Sequence, residues 1–357
     1  MAGKRNNAGH QKLSAGVITR KSNSGYGGNS KRGWIGLLPS QWIPYIQLAR
    51  LSPPAGLFLI YFPHLFGVLL GAIQLRTPLN EAFHAILVTF VGSFFVSNAI
   101  HIWNDLIDAP LDAKVERTQN RPIPRGAVSK RAAFIFTTTQ ALGAAAVLPA
   151  IMPERSAITA VLHAIPAIMG WFYYPWAKCH TNFPQAVLGF CLAWGAVIGS
   201  LAVGVELFTW TPPHVIGSSF GTHVSMICLV LASILWAMIY DTIYAHQDLK
   251  DDLKAGIKSL AVLYRGETKS LLWKLLAMMF GLLVAVGYFT SMGPLFYLVA
   301  VGGSSLALGT MIARVELDNP ESCWWWFGKG FWFAGGSIAG GLLIEYLAVS
   351  VILARLF

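Results

Sequence analysis

Charge is scarce in this chain: only 12% of residues are Asp, Glu, Lys or Arg, where soluble proteins average about a quarter. So few charges cannot solvate the surface of a globule, and with 55% apolar residues and a mean hydropathy of +0.56 the expected solvent is the lipid bilayer. Cysteine is also rare. Cys179, Cys191, Cys228 and Cys323 are scattered without metal-ligand spacing, which excludes a disulfide framework and a thiolate metal site. Acid is in deficit, 16 residues against 26 basic ones, for a net charge of +10. Basic residues of membrane proteins record orientation, so this excess implies no nucleic-acid partner. Residues 1–33 contain no acid at all, and carry Lys4, Arg5, Lys12, Arg20, Lys21, Lys31 and Arg32 among many Gly, Ser and Asn. Gly25, Gly27, Gly28 and Asn29 disfavour the amphipathic helix of a mitochondrial presequence, so a disordered basic tail is expected ahead of a membrane domain over 34–357.

What is present is a series of apolar stretches of about 20 residues, each long enough to cross a hydrocarbon core of roughly 30 Å. Nine are expected, at 54–73, 83–103, 132–152, 157–176, 185–204, 223–241, 271–291, 294–313 and 330–354. With nine crossings, 23 of the 26 basic residues fall on the side of the N-terminal tail, leaving Arg76, Arg155 and Arg355 opposite. That asymmetry obeys the positive-inside rule. The expected fold is all-α, two four-helix pseudo-repeats plus one helix.

Eight of the 16 acids sit in two short segments, four crossings apart. The first holds Asn104, Asp105, Asp108, Asp112 and Glu116; the second holds Asp241, Asp248, Asp251 and Asp252. At 100° per residue, Asn104, Asp105, Asp108 and Asp112 share an arc of about 100°, and Asp241, Asp248 and Asp252 one of about 60°. Pro110 is expected to kink the first segment before Asp112. Like charges on one stripe repel unless a cation neutralises them, and hard oxygen ligands with room for water and phosphate are what Mg²⁺ requires. Cations follow each cluster, and Arg117, Arg121 and Lys258 are the candidates to hold a diphosphate as its charge grows. The plainer reading of those cations is orientation alone. His101 and His246 are read as hydrogen-bonded groups or pocket wall, since imidazole suits softer metals. Glu206 and Glu345 are placed near helix ends. A transporter built on paired repeats is the alternative of another class, but its carboxylates would lie near the midplane rather than at one interface.

From about Arg50 to Phe357 these residues resemble the UbiA superfamily of intramembrane prenyltransferases. The resemblance rests on Asn104 to Asp112 with Arg117, Arg121 and Pro122, and on Asp241 to Asp252 with Gly256 to Ser259. Arg50-Leu51 with Pro54 to Gly56, and Tyr174-Pro175 with Lys178, Thr181, Pro184 and Gln185, add to it. Pro53 and Cys179 depart from the family pattern, which usually has a basic residue at each place. The stretch from Tyr240 to Asp248 looks most like the branch that prenylates 4-hydroxybenzoate and related phenolic acids, including fungal meroterpenoid farnesyltransferases.

The resemblance implies transfer of a prenyl group from its diphosphate to a phenolic acceptor. It implies Mg²⁺ on Asp105, Asp108, Asp112, Asp248 and Asp252, and diphosphate contacts from Asn104, Arg117, Arg121, Lys178 and Lys258. Asp241 would orient or deprotonate the acceptor, in a pocket with Arg50, Tyr173, Tyr174 and Tyr244. Trp171, Tyr173 and Tyr174 would shield the allylic cation, whereas Trp176 and Trp324 to Trp326 are read as an interfacial aromatic belt. The poor presequence favours the endoplasmic reticulum, with the mitochondrial inner membrane and ubiquinone synthesis as the alternative.

Overall fold

The computed structural model describes residues 33–151, 157–207 and 220–356. The expected tail, Gly33 aside, and Arg155 lie outside the described residues. Among the described residues nine long helices follow one another: α1 (Ala55–Leu75), α2 (Leu79–Asp112), α3 (Lys130–Ile151), α4 (Ala157–His180), α5 (Pro184–Leu201), α6 (Phe220–Ala255), α7 (Thr268–Phe289), α8 (Pro294–Arg314) and α9 (Pro320–Leu356). Among the described residues no strand is present. Eight of these helices are long and apolar enough to cross a membrane. α4 (Ala157–His180) is not among these eight, so nine crossings are not confirmed.

α1 and α5 are the most buried of these helices, packed on each other, with α6 against α5 and α9 against α1 and α6. Lipid tails are as apolar as leucine, so helices in a membrane associate by close van der Waals fit. The sequence supplies that fit with glycine. A Cβ at Gly67 of α1 would strike the Ala196 backbone of α5, and one at Gly199 of α5 would strike the His64 backbone of α1. Elsewhere apolar side chains face outward, as on α2, where Leu79, Phe83, Leu87 and Val91 form an exposed stripe. In water such a stripe would be an aggregation hazard; in a bilayer it is the lipid face.

The two helices with the acidic clusters run well past their expected ends. α2 continues as helix through Pro110 to Asp112. Proline costs the chain one hydrogen bond here, but only two further helical residues depend on that turn, and ion pairs from Asp108 and Asp112 brace it. α6 extends past Asp241 by way of a 3₁₀ turn, His246–Asp248, before α-helix resumes at Leu249–Ala255. That turn advances 120° per residue, so the stripe of Asp241, Asp248 and Asp252 is not the one an ideal α-helix would give.

Glu345 of α9 accepts the backbone N–H of Gly293 at 3.0 Å, pinning the turn between α7 and α8. A structural role therefore accounts for that intramembrane acid.

Candidate functional site

The end of the bundle where α2, α4 and α6 converge contains a polar cavity of about 190 Å³. α2 contributes Asn104, Asp108 and Asp112; the segment after it contributes Arg117, Thr118 and Arg121. α6 contributes Asp241, Tyr244, Asp248 and Asp252, and Lys178 and Lys258 complete the wall. The two clusters, remote in sequence, thus face one space.

Three of the five carboxylates that line it, Asp108, Asp112 and Asp248, are paired with a cation. Lys178 Nζ lies 2.6 Å from Asp108 Oδ2, and Arg121 Nη1 lies 2.8 Å from Asp112 Oδ2. Arg117 binds Asp248 with two parallel bonds, Nε to Oδ1 at 2.7 Å and Nη2 to Oδ2 at 2.5 Å. Burial disfavours the Arg117 charge, but Tyr244 and Asp248 beside it raise its pKa further above its ordinary value, so it is a permanent cation. Asp241 and Asp252 have no ion pair among the described residues, and both line the cavity. Asn104 Nδ2 donates to Asp108 Oδ2 at 3.0 Å, fixing that carboxylate's rotamer.

Asp105 stands apart from this wall. It is 1% exposed and clamped between Arg50 Nη2 at 2.6 Å and Arg121 Nη1 at 3.1 Å. Arg50 reaches it from a left-handed backbone, φ 53°, a conformation that costs a non-glycine residue roughly 1–2 kcal/mol. Such strain persists where the surroundings over-determine it, and here the buried carboxylate does so.

A second cavity, about 150 Å³, continues from the first toward the membrane interior. Arg50, Asn104, Tyr174, Pro175, Asp241 and Tyr244 line both and form their boundary. Beyond it the wall is aromatic and aliphatic: Trp171, Tyr240, Trp324 and Phe327, with Leu59, Ile60, Ile100, Leu188 and Leu192. Arg117 lies over the Tyr244 ring, 5.7 Å from its centroid. A third, almost wholly apolar chamber of about 300 Å³ opens from Ile60, Ile100 and Trp171, and runs between α2, α3, α4 and α5.

Two expected roles are corrected. Tyr173 does not line the cavity; it is 38% exposed and stacks on His180. Adjacent helical positions differ by 100°, so with Tyr174 pointing in, Tyr173 points away. Trp324, expected in the aromatic belt, instead lines the cavity, 6.2 Å from Tyr244 between centroids. Its neighbour Trp325 is 53% exposed, as a belt residue should be. His246 is the hydrogen-bonded group expected, Nε2 to Thr268 Oγ1 at 3.1 Å. Sequence reasoning missed Phe327 and Tyr240. Tyr240 adjoins Asp241, a usable signal, whereas nothing in the sequence distinguishes Phe327 from other aromatics of α9.

A divalent cation can be tested against these donors. Among the described residues no three His, Cys, Asp or Glu side chains are grouped closely enough to form a metal cage. Mg²⁺ does not ask for one, because it is usually held by one or two carboxylates together with substrate phosphates and water. Asp108, Asp112, Asp248 and Asp252 offer oxygen alone, on opposite walls of one cavity that also carries five cationic side chains, Arg50, Arg117, Arg121, Lys178 and Lys258. The residues fit.

Comparison with known proteins agrees with this geometry. The chain matches the UbiA prenyltransferase family over residues 60–335. It is 37% identical over 327 residues to a mitochondrial 4-hydroxybenzoate polyprenyltransferase of Saccharomyces cerevisiae, covering 91% of this chain and 80% of that one. It is 35% identical to prenyltransferase stbC of Stachybotrys bisbyi, covering 88% and 91%. Among solved structures, a UbiA homologue of Aeropyrum pernix superposes with a TM-score of 0.64 at 20% identity, covering 80% of this chain and 97% of that one. One of Archaeoglobus fulgidus, bound to GPP and Mg²⁺, gives 0.58 at 18% identity, covering 86% and 99%. The chain belongs to the UbiA prenyltransferase family and is a multi-pass membrane enzyme, which sets the transporter reading aside.

Proposed function

We propose that this UbiA-family enzyme transfers a farnesyl group from its diphosphate to a ring carbon of a phenolic acid acceptor, in meroterpenoid synthesis on the endoplasmic reticulum. The observation that carries the reading is the shared boundary of the polar and aromatic cavities. It would place an allylic C–O bond where the diphosphate meets cations on one side and the prenyl carbon meets Tyr174, Tyr244 and Trp171 on the other.

Asp108, Asp112, Asp248 and Asp252 would hold Mg²⁺, whose chemistry is to draw charge onto the leaving diphosphate. Asp105 then serves by holding Arg50 and Arg121 in place. Arg117, Lys178 and Lys258 stabilise the diphosphate as it departs. The aromatic faces shelter the cation from water and offer it cation–π attraction. Asp241, on the boundary, orients the acceptor.

The apolar chamber would seat the prenyl tail. Along α2 it runs from Ile100 to Thr89, about 16 Å at 1.5 Å per residue. An extended isoprene unit, four carbon–carbon bonds of about 1.5 Å, advances about 5 Å, so the length suits three units. The alternative exit between α1 and α9 is filled at this level by Phe58, Phe62 and Trp332, whose ring centroids are 4.5 and 5.6 Å from the tryptophan.

Microsomes containing the chain should convert farnesyl diphosphate faster than geranyl or geranylgeranyl diphosphate when offered a panel of phenolic acids. Absence of any prenylated phenol would overturn the reading. The similarity to the Saccharomyces polyprenyltransferase supports a second reading, the ubiquinone pathway in mitochondria. A yeast strain lacking its own 4-hydroxybenzoate polyprenyltransferase decides between them, since restored respiratory growth favours the second.

A further inference from the structure

His101 stands in the wall of the aromatic cavity, one helical turn before Asn104, and lines that cavity alone, whereas Asp241 lines the diphosphate cavity as well. Its Nδ1 lies 2.7 Å from the Ser97 carbonyl oxygen. A carbonyl only accepts, so Nδ1 carries the ring proton and Nε2 of the neutral imidazole keeps a lone pair. No described residue donates to that nitrogen. The Cε1–Nε2 edge lies against Gly56, where a Cβ would stand only 2.5 Å from Nε2, so glycine alone leaves room for the ring there. A tautomer locked from behind, with an acceptor atom that no described residue donates to, in a wall shared with Asn104, Asp241 and the Tyr174, Tyr240 and Tyr244 hydroxyls, is an arrangement that can accept from a hydroxyl donor.

We propose that His101 Nε2 accepts the hydroxyl of a hydroxyarene substrate and takes its proton as the ring carbon attacks. This deepens the aromatic-acceptor reading and rests on it. The phenolic O–H bond breaks and an N–H bond forms on Nε2, while the ring electron pair forms a C–C bond to the prenyl carbon. The allylic C–O bond breaks with its electron pair leaving on the diphosphate. The dienone so formed regains the proton on oxygen from the imidazolium as its ring C–H proton departs to the diphosphate. The imidazole ends neutral, and one proton has passed from ring carbon to leaving group. Asp241, at the boundary, orients the acceptor without taking its proton.

The test compares wild type, His101→Ala and His101→Gln in microsomes, with a phenol that wild type prenylates, its O-methyl ether, and ring-fluorinated phenols of falling pKa. Wild type should leave the ether unreacted. His101→Ala should lose about 10²–10⁴-fold in kcat with the KM for prenyl diphosphate unchanged, and the loss should shrink as the phenol becomes more acidic. His101→Gln should restore acceptor KM but not kcat; it also carries the test if the alanine variant fails to accumulate. Turnover by His101→Ala within about threefold of wild type, far short of that general-base contribution, would overturn the proposal. So would an equal loss across the fluorinated series, or an ether prenylated as fast as the phenol. In each of those cases wild-type phenol prenylation stands. Wild-type failure with every phenol sinks the aromatic-acceptor reading itself, and this proposal with it.

Discussion

Arg117, in the segment after α2, grips Asp248 of α6 by both carboxylate oxygens, across 131 positions of sequence. A guanidinium fork matches a carboxylate in a way an ammonium cannot. The pair ties the two acidic clusters into one cavity, and the same fork can turn to phosphate oxygens when a diphosphate arrives. Arg117→Ala is expected to lower kcat by about 10²-fold, as loss of a placed charge-stabilising donor does. Arg117→Lys, which keeps the charge but not the fork, should lose less. Equal activity of the alanine variant and wild type in a steady-state assay would refute the role.

Metal removal should stop the enzyme without unfolding it. EDTA is expected to abolish prenyl transfer and added Mg²⁺ to restore it. Asp108→Asn and Asp248→Asn should be inactive yet accumulate in membranes, because asparagine keeps the volume and still offers Lys178 and Arg117 a hydrogen-bond acceptor. Activity that survives chelation would exclude a divalent-cation mechanism.

The tail chamber predicts a shift in donor length. Ala144→Phe and Ala164→Phe fill the space between α3, α4 and α5. KM for farnesyl diphosphate should rise about tenfold or more, the scale on which a pocket discriminates by methylenes, while dimethylallyl diphosphate is still accepted. Unchanged use of farnesyl diphosphate by both variants would show that the chain runs elsewhere.

Whether α4 crosses the membrane fixes the sides of the termini. Nine crossings place them on opposite sides, in keeping with the distribution of basic residues. Glycosylation tags at each end should therefore report opposite compartments. Labelling of both ends from one side would show that the number of crossings is even, against the nine expected.

The sequence by itself determined the helical membrane fold, the two acidic clusters and most of the cations around them. Each is a local property: hydropathy over 20 residues, or carboxylates repeating at helical spacing, needs no knowledge of neighbours. Tertiary structure alone decided which face of each helix meets the site. It turned Tyr173 outward and Trp324 inward, set Asp105 behind the cavity between Arg50 and Arg121, brought Phe327 to the wall, and left His101 Nε2 free beside Gly56. In water an amphipathic stripe would have announced the inward face. In lipid both faces are apolar, and helix rotation is set instead by close contacts such as Gly67 on Ala196 and Gly199 on His64, which hydropathy does not record.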